Sequence, residues 1–95
     1  MIVAHYFSSP TCGPCKTIKP SIEELQEEFE QVSWICTNTH DDKEKLAEKY
    51  EVKLVPTIVI EVMSEDNRVL YSEKYTGSSI STYYRIIRNA IKFKP

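Results

Sequence analysis

The sequence predicts an α/β protein in which helices flank a four-stranded mixed sheet. Two observations support this class. In the first half of the chain, short apolar runs alternate with segments whose apolar residues recur every three or four positions, which is typical of strands connected by helices. In the second half, two β-prone segments are separated only by a polar turn, which indicates a hairpin. Because helical crossovers join parallel strands and hairpins join antiparallel ones, the expected order is β-α-β-α-β-β-α.

The first half is expected to contain two strands, each followed by a helix. Residues 2–7 are a short apolar run that ends at a Ser-Ser-Pro loop, and residues 31–37 form a second apolar run. The helix between them is indicated by apolar residues on one face: Ile18, Ile22, Leu25 and Phe29. After the second strand, Asp41 and Asp42 offer N-cap oxygens for a short helix that reaches about Tyr50.

The second half is expected to contain the hairpin and a closing helix. Residues 57–63 are mostly β-branched, which favours a strand, and residues 68–75 return as its partner. The segment Gly77-Ser78-Ser79 supplies a serine cap for the last helix. The expected inward face of that helix consists of Ile80, Tyr84, Ile87 and Ile91. Since no repeat or linker interrupts these elements, we expect residues 1–95 to form a single domain.

The composition excludes several classes of protein. With 12 basic and 14 acidic side chains, the net charge of −2 lacks the basic excess of a nucleic-acid-binding domain. No apolar run approaches the roughly 18 residues of a membrane span, and the first residues lack the regions of a signal peptide. Three cysteines are too few, and odd in number, for a secreted disulfide framework. We therefore expect a soluble cytoplasmic monomer that binds neither nucleic acid nor membrane.

The motif Cys12-Gly13-Pro14-Cys15 lies where the first loop meets the first helix. Residues three apart on a helical turn project to the same side, which brings their Cα atoms within the distance that a disulfide requires. Cys12 is at the helix N-terminus, where unpaired N–H groups and the helix dipole favour a thiolate and lower the pKa of the thiol. Cys12 is thus the candidate nucleophile, and Cys15, inside the helix, the candidate resolving cysteine.

A zinc site is the main alternative for this motif. Cys36 and His40 follow the Cys-x-x-Cys pair, so the chain contains four potential zinc ligands. Cys36, however, lies in a run that predicts a buried strand, and His40 lies in the next loop. The other elements can also form a core without metal, so redox chemistry is favoured and no metal is expected.

Three segments resemble the thioredoxin family. Thr11-Cys12-Gly13-Pro14-Cys15-Lys16 followed by Pro20 resembles its active-site motif and helix. Tyr50-Glu51-Val52-Lys53-Leu54-Val55-Pro56-Thr57 resembles the segment that ends in the family's cis-proline, at a matching interval from Cys12. Thr76-Gly77 resembles the turn before the last helix. The resemblance implies a minimal thioredoxin-like fold.

The resemblance also implies a substrate site beside the cysteines. The Val55–Pro56 peptide is expected to be cis, with the Val55 backbone free to pair with an extended substrate segment. The residues expected to contact substrate are Thr11, Gly13, Pro14, Val55, Pro56 and Gly77. The expected activity is reduction of protein disulfides without a bound cofactor, with a flavin-containing thioredoxin reductase as the electron donor.

The sequence departs from the family at several positions. Thr11 stands where a tryptophan usually precedes the first cysteine. The family's buried aspartate falls at Tyr6 and its partner lysine at Thr37, so the Tyr6 hydroxyl, water or the leaving thiolate must accept the proton of the second cysteine. Glu51 replaces a glycine at a helix end where the family has a left-handed turn.

Two further interpretations stay open. A glutaredoxin-like enzyme would use glutathione, but that branch has Pro-Tyr or Pro-Phe between its cysteines and a Gly-Gly pair before a late helix, whereas this chain has Gly13-Pro14 and a single Gly77. A redox-inert thioredoxin-like module would keep the fold without turnover. The favoured hypothesis is a thioredoxin-type oxidoreductase, with glutathione use as the alternative.

Overall fold

The computed structural model describes residues 1–93, so the last two residues of the predicted 1–95 domain lie outside the described residues. The elements are β1 (Ile2–Ser8), α1 (Gly13–Glu28), β2 (Val32–Asn38), α2 (Leu46–Lys49), β3 (Thr57–Met63), β4 (Val69–Thr76) and α3 (Ile80–Lys92). The predicted order is confirmed; β3 has its predicted bounds, and the other strands differ by one residue at one or both ends. Among residues 1–93, no helix combines the length and apolar character that crossing a membrane requires.

The strands form a single four-stranded sheet in the order β2-β1-β3-β4. β1 is parallel to β2 and antiparallel to β3, and β3 is antiparallel to β4. The predicted mixed sheet is therefore confirmed. Because β1 is hydrogen-bonded along both edges, its carboxyl end is held in place, and the loop that leads to Cys12 leaves from this fixed point.

The core lies between one face of the sheet and helices α1 and α3. Side chains alternate along a strand, so Ala4 and Tyr6 of β1 point to the same face as Ile58 and Ile60 of β3. The four apolar residues predicted on the inner face of α1 are each at most 6% exposed. Full burial of such a side chain stabilises the fold by about 1.5–3 kcal/mol, so this cluster anchors α1 to the sheet.

The inner face of α3 is rotated from the predicted one. Tyr83 is 0% exposed and belongs to a buried stripe with Ile86, Ile87 and Ala90. Tyr84, which was expected to point inward, packs at the margin of the core, and its hydroxyl donates to Glu28 Oε2 at 3.0 Å. Tyr83 fits the interior because its hydroxyl donates to the carbonyl of Gly77 at 2.8 Å, which leaves no unpaired polar group there.

The helix α2 is shorter than predicted. Asp42 supplies the expected capping oxygens, which accept hydrogen bonds from the N–H groups of Leu46 (3.0 Å) and Ala47 (2.9 Å). The helix does not start beside Asp42, because the intervening chain makes a turn and Lys45 has a φ of 54°. The helical hydrogen-bond pattern can begin only after this left-handed residue.

The end of α2 is a Schellman motif centred on Glu51. Glu51 has a φ of 56°, its N–H donates to the Glu48 carbonyl at 3.1 Å, and the Val52 N–H donates to the Ala47 carbonyl at 2.7 Å. The Lys74 ammonium donates to the Glu51 carbonyl at 2.8 Å. The left-handed turn expected here is confirmed, and a side chain occupies a conformation that favours glycine.

Replacing Glu51 with glycine should stabilise the protein. The left-handed conformation costs an L-residue about 1–2 kcal/mol, whereas the greater freedom of glycine in the unfolded chain offsets roughly 0.5–1 kcal/mol. We expect Glu51→Gly to raise the free energy of unfolding by about 0.5–1 kcal/mol in urea denaturation. Glu48→Gly is the matched control and should lower stability, since Glu48 is helical. A loss of stability in Glu51→Gly would contradict this account.

His5 lies on the opposite face of β1 from Tyr6, beneath Tyr50. It is 5% exposed, and its ring centroid is 4.6 Å from that of Tyr50. Its Nε2 is 3.8 Å from Glu61 Oε1, and its buried Nδ1 has no hydrogen-bond partner among residues 1–93. Burial lowers the pKa of His5 below its ordinary 6.5; Glu61 opposes this shift and Lys49 adds to it. The fold therefore favours a neutral imidazole.

This buried imidazole should make stability depend on pH. Below about pH 6.5 the unfolded chain binds a proton at His5 that the folded chain does not bind, so the free energy of unfolding should fall as the pH decreases from about 7 to 5. The slope contributed by one group is at most about 1.4 kcal/mol per pH unit. His5→Phe should flatten this dependence in urea titrations, while the exposed-site variant His40→Gln should retain it. An unchanged slope in His5→Phe would refute the assignment.

Candidate active site

Cys12 caps the N-terminus of α1. It has extended backbone angles (φ −91°, ψ 110°), and its Sγ accepts a hydrogen bond from the Cys15 N–H at 3.1 Å. The Cys12 carbonyl accepts from the Lys16 N–H at 3.2 Å, which starts the helical pattern. Pro14 lies in the first turn, where a residue without an N–H leaves no helical hydrogen bond unmade. The sequence Cys-Gly-Pro-Cys thus places a sulfur where a serine or aspartate cap usually lies.

Cys12 and Cys15 form a disulfide, with their Cα atoms 5.2 Å apart. Cys15 is 5% exposed, while Cys12 is only partly buried. An incoming sulfur can therefore reach Cys12 more readily than Cys15. After reduction, the N–H that points at Cys12 Sγ stabilises a thiolate there, because an N–H donor interacts more strongly with an anion than with a neutral thiol. The structure thus brings the predicted pair together, with Cys12 the more accessible of the two.

The Val55–Pro56 segment lies against Cys12. The peptide between these residues is cis, as the resemblance implied. The Val55 carbonyl oxygen lies 3.6 Å from Cys12 Sγ, and Leu54, the residue before it, is 69% exposed. Backbone polar groups beside the sulfur can orient an extended peptide whose disulfide approaches Cys12. The exposed Leu54 adds an apolar side chain that the sequence did not single out.

Gly77 holds Pro56 in place. Its N–H donates to the Pro56 carbonyl at 2.9 Å, and its own carbonyl accepts from the buried Tyr83 hydroxyl at 2.8 Å. Gly77 has a φ of 148°, and a Cβ atom there would lie 2.5 Å from Tyr75 Oη. Glycine is therefore required for both backbone conformation and space. Direct contact of Gly77 with a substrate stays a prediction.

Thr11, Gly13 and Pro14, which lie next to Cys12 along the chain, are exposed. Thr11 Oγ1 lies 3.4 Å from Ser9 Oγ and 3.5 Å from His40 Nε2. The sequence indicates His40 only as a possible zinc ligand and does not predict this contact. The contact could have been predicted from the strand order. The carboxyl ends of the parallel strands β1 and β2 lie at one edge of the sheet, so the loops that follow them must be neighbours. A polar pair thus stands where the family has a tryptophan.

The zinc interpretation finds no support in the described part of the chain. His40 is beside Thr11, whereas Cys36 Sγ accepts a hydrogen bond from Gln26 Nε2 at 3.0 Å. Within residues 1–93, no three His, Cys, Asp or Glu side chains lie close enough to hold a metal ion. The expectation of a buried Cys36 is wrong: the residue is exposed, because β2 is an edge strand.

Tyr6 occupies the place of the family's buried acid. It is 6% exposed, and its hydroxyl has no hydrogen-bond partner among the described residues. Its neighbour on β2 is Cys36 rather than Thr37, which pairs with Phe7 and faces the other side of the sheet. Burial, and to a lesser extent Cys36, raises the pKa of Tyr6 to about 12. The hydroxyl is thus protonated near neutral pH and cannot act as the base for Cys15.

The sequence matches known proteins across most of its length. A family model described as Thioredoxin matches residues 1–86. Thioredoxin M-type, chloroplastic, of Zea mays is 30% identical over 84 residues, which cover 77% of this chain and 50% of that protein. Thioredoxin-2, mitochondrial, of Schizosaccharomyces pombe is 32% identical over 80 residues, which cover 83% of this chain and 59% of that protein. The chain spans about half the length of the curated relatives it matches.

Solved structures show the same fold. Thioredoxin f from spinach chloroplast (short form) has a TM-score of 0.79 at 26% identity, covering 96% of this chain and 77% of that chain. Fasciola hepatica thioredoxin has a TM-score of 0.77 at 26% identity, covering 94% and 80%. A chain from a complex of ferredoxin:thioredoxin reductase and thioredoxin f2 has a TM-score of 0.79 at 27% identity, covering 96% and 78%. The predicted thioredoxin-like fold class is confirmed.

The role of Gly77 can be tested against a second glycine. Gly77→Ala should lower the free energy of unfolding by about 1–3 kcal/mol, because the Cβ atom strains the backbone and displaces Tyr75. Gly13→Ala is the matched control: a Cβ atom there meets nothing within 4 Å, and the change should stay within about 0.5 kcal/mol. Equal effects of the two variants in urea denaturation would show that the Gly77 turn is not constrained as described.

Proposed function

The chain belongs to the thioredoxin family, and we propose that it reduces protein disulfides by exchange through Cys12 and Cys15. The observation that supports this most directly is the hydrogen bond from the Cys15 N–H to Cys12 Sγ. It favours the thiolate of Cys12, and the thiolate is the nucleophile in disulfide exchange. The second sulfur is already within bonding distance, so the pair can close without rearrangement of α1.

In the first step, the Cys12 thiolate attacks one sulfur of the substrate disulfide. The substrate S–S bond breaks, a mixed disulfide with Cys12 forms, and the other substrate sulfur leaves as a thiolate that takes a proton from water. The substrate chain pairs with the backbone at Val55, whose carbonyl lies beside the reacting sulfur. The side chain of Leu54, which is exposed in the free protein, packs against an apolar residue of the bound substrate segment.

In the second step, Cys15 attacks Cys12 Sγ in the mixed disulfide. The bond between Cys12 and the substrate breaks, the intramolecular disulfide forms, and the second substrate sulfur leaves as a thiolate. Tyr6 cannot accept the Cys15 proton, since its pKa of about 12 keeps its hydroxyl protonated. The proton therefore passes to the departing substrate thiolate, directly or through water, which balances the step without a buried base.

A reductase must return two electrons to the oxidised pair. We propose a flavin-containing thioredoxin reductase, with glutathione as the alternative donor. One structural neighbour comes from a complex of ferredoxin:thioredoxin reductase and thioredoxin f2, which supports a reductase as the kind of partner. A monomeric state and a cytoplasmic location stay predictions, and the relatives include chloroplastic and mitochondrial proteins.

Loss of the nucleophile should abolish activity. With dithiothreitol as reductant, the parent protein should accelerate insulin precipitation over the reductant alone, and Cys12→Ser should reduce this acceleration to background. The electron donor is then identified by comparing the rates of insulin reduction by the parent protein with two reducing systems. One contains thioredoxin reductase with NADPH, and the other contains glutathione. Parent and Cys12→Ser proteins with equal rates would defeat the proposed activity.

The order of the two cysteines is tested by trapping in variants with one thiol. Cys15→Ser/Cys36→Ser retains only Cys12 and should accumulate mixed disulfides with substrate, because the resolving thiol is gone. The matched variant Cys12→Ser/Cys36→Ser retains only Cys15, which is 5% exposed, and should form few. Non-reducing gels and intact mass spectrometry give the yields. The reverse pattern would mean that the roles are exchanged.

A further inference from the structure

A pocket of about 460 Å³ lies behind the candidate active site, between α1 and the β1–β2 side of the sheet. Its volume is within the range of small-molecule binding sites. The lining residues that matter for its chemistry are Tyr6, Cys15, Lys16, Lys19, Gln26 and Cys36. It is thus bordered by Cys15 of the disulfide and by Cys36, the cysteine that the proposed mechanism does not use.

The wall of the pocket includes a buried residue with an unpaired hydrogen-bond donor. Tyr6 is more than nine-tenths buried, its hydroxyl has no partner among residues 1–93, and the side chain forms part of the pocket wall. Buried polar groups are normally paired, and an unpaired one indicates a water or ligand that completes it. Because the raised pKa keeps this hydroxyl protonated, it suits an acceptor such as a carboxylate, a carbonyl or a thiolate.

The charged residues that line the pocket favour an anion. Lys16, Lys19 and Glu23 of α1 are among its lining residues, so two ammonium groups stand against one carboxylate. All three side chains are exposed, so each charge has a modest effect. These three side chains nevertheless have a positive net charge, although the whole chain has a net charge of −2.

Cys36 gives the pocket a free thiol. It is the free cysteine of the structure, it is exposed, and its Sγ accepts a hydrogen bond from Gln26 Nε2 at 3.0 Å. Neighbouring groups remove part of the water around the Cys36 sulfur, which raises the pKa of the thiol. The hydrogen bond from Gln26 opposes this shift. A bound anion with a disulfide would meet this thiol beside the Gln26 amide, in a pocket whose wall includes Tyr6.

We propose that this pocket binds a small carboxylate-bearing disulfide and that Cys36 is its site of covalent attachment. The Cys36 thiolate attacks one sulfur of the ligand, the ligand S–S bond breaks, a mixed disulfide with Cys36 forms, and the other half leaves as a thiolate that takes up a proton. The Cys36 proton goes to solvent. The oxidant is the ligand disulfide, and a free thiol reverses the reaction. This modification is independent of the reduction proposed for Cys12 and Cys15.

The test uses the full chain as Cys12→Ser/Cys15→Ser, in which Cys36 is the remaining thiol. Three probes differ in charge: oxidised glutathione (anionic), 2-hydroxyethyl disulfide (neutral) and cystamine (cationic). Intact mass spectrometry follows the rate of adduct formation, and the rates with N-acetylcysteinamide, a thiol without a carboxylate, correct for the intrinsic reactivity of each probe. After correction, oxidised glutathione should react about twofold to fivefold faster than the neutral probe, and cystamine more slowly. Salt should weaken the preference.

Three variants in this background locate the site. Adding Cys36→Ser should abolish the adduct. Lys16→Gln/Lys19→Gln should remove the preference for the anionic probe, and Tyr6→Phe should slow its reaction. The measurement is repeated on the parent protein with Cys12 and Cys15 oxidised, in which Cys36 is again the free thiol. Agreement between the two proteins shows that the serine substitutions have not altered the fold around the pocket. Corrected rates that do not depend on probe charge, or a preference that survives the lysine substitutions, would overturn the proposal.

Discussion

The candidate site depends on β1 being hydrogen-bonded along both of its edges. Its pairing with β2 and β3 fixes the strand end from which the Cys12 loop leaves, and it places Thr57, the residue after Pro56, opposite Phe7. Two distant segments of the chain therefore meet at one edge of the sheet. The buried Tyr83 hydroxyl supports the same arrangement from α3, through the Gly77 carbonyl. The reacting sulfur is positioned by the fold as a whole rather than by its own loop.

Local patterns were enough to predict most of this architecture. The buried face of α1, the bounds of β3 and the Cys12–Cys15 pair follow from apolar spacing, β-branched composition and helical geometry. The length of α2 could not be predicted. The left-handed conformation of Lys45 delays the start of the helix, and a lysine at this position does not indicate such a conformation. The rotation of α3 was also hidden, since a tyrosine can be buried only when the tertiary structure supplies a partner for its hydroxyl.

Strand register cannot be recovered from the resemblance. The resemblance matches the family's acid and lysine to Tyr6 and Thr37, whereas the ladder pairs Tyr6 with Cys36 and Thr37 with Phe7, so Tyr6 and Thr37 lie on opposite faces of the sheet. A phenol and a threonine thus stand at the positions of the family's charged pair. The candidate contact residues were recoverable only through the resemblance, because no local pattern indicates that Val55 lies beside Cys12.

The use of a cysteine as the N-cap of α1 couples helix stability to electron transfer. A thiolate accepts the Cys15 N–H more strongly than a disulfide sulfur does, so the first turn of α1 is better capped in the reduced protein. Thermodynamic linkage then requires that a well-formed first turn favour the dithiol over the disulfide. Fraying of that turn would make the dithiol give up its electrons more easily, so the equilibrium potential of the couple depends in part on helix propensity at this terminus.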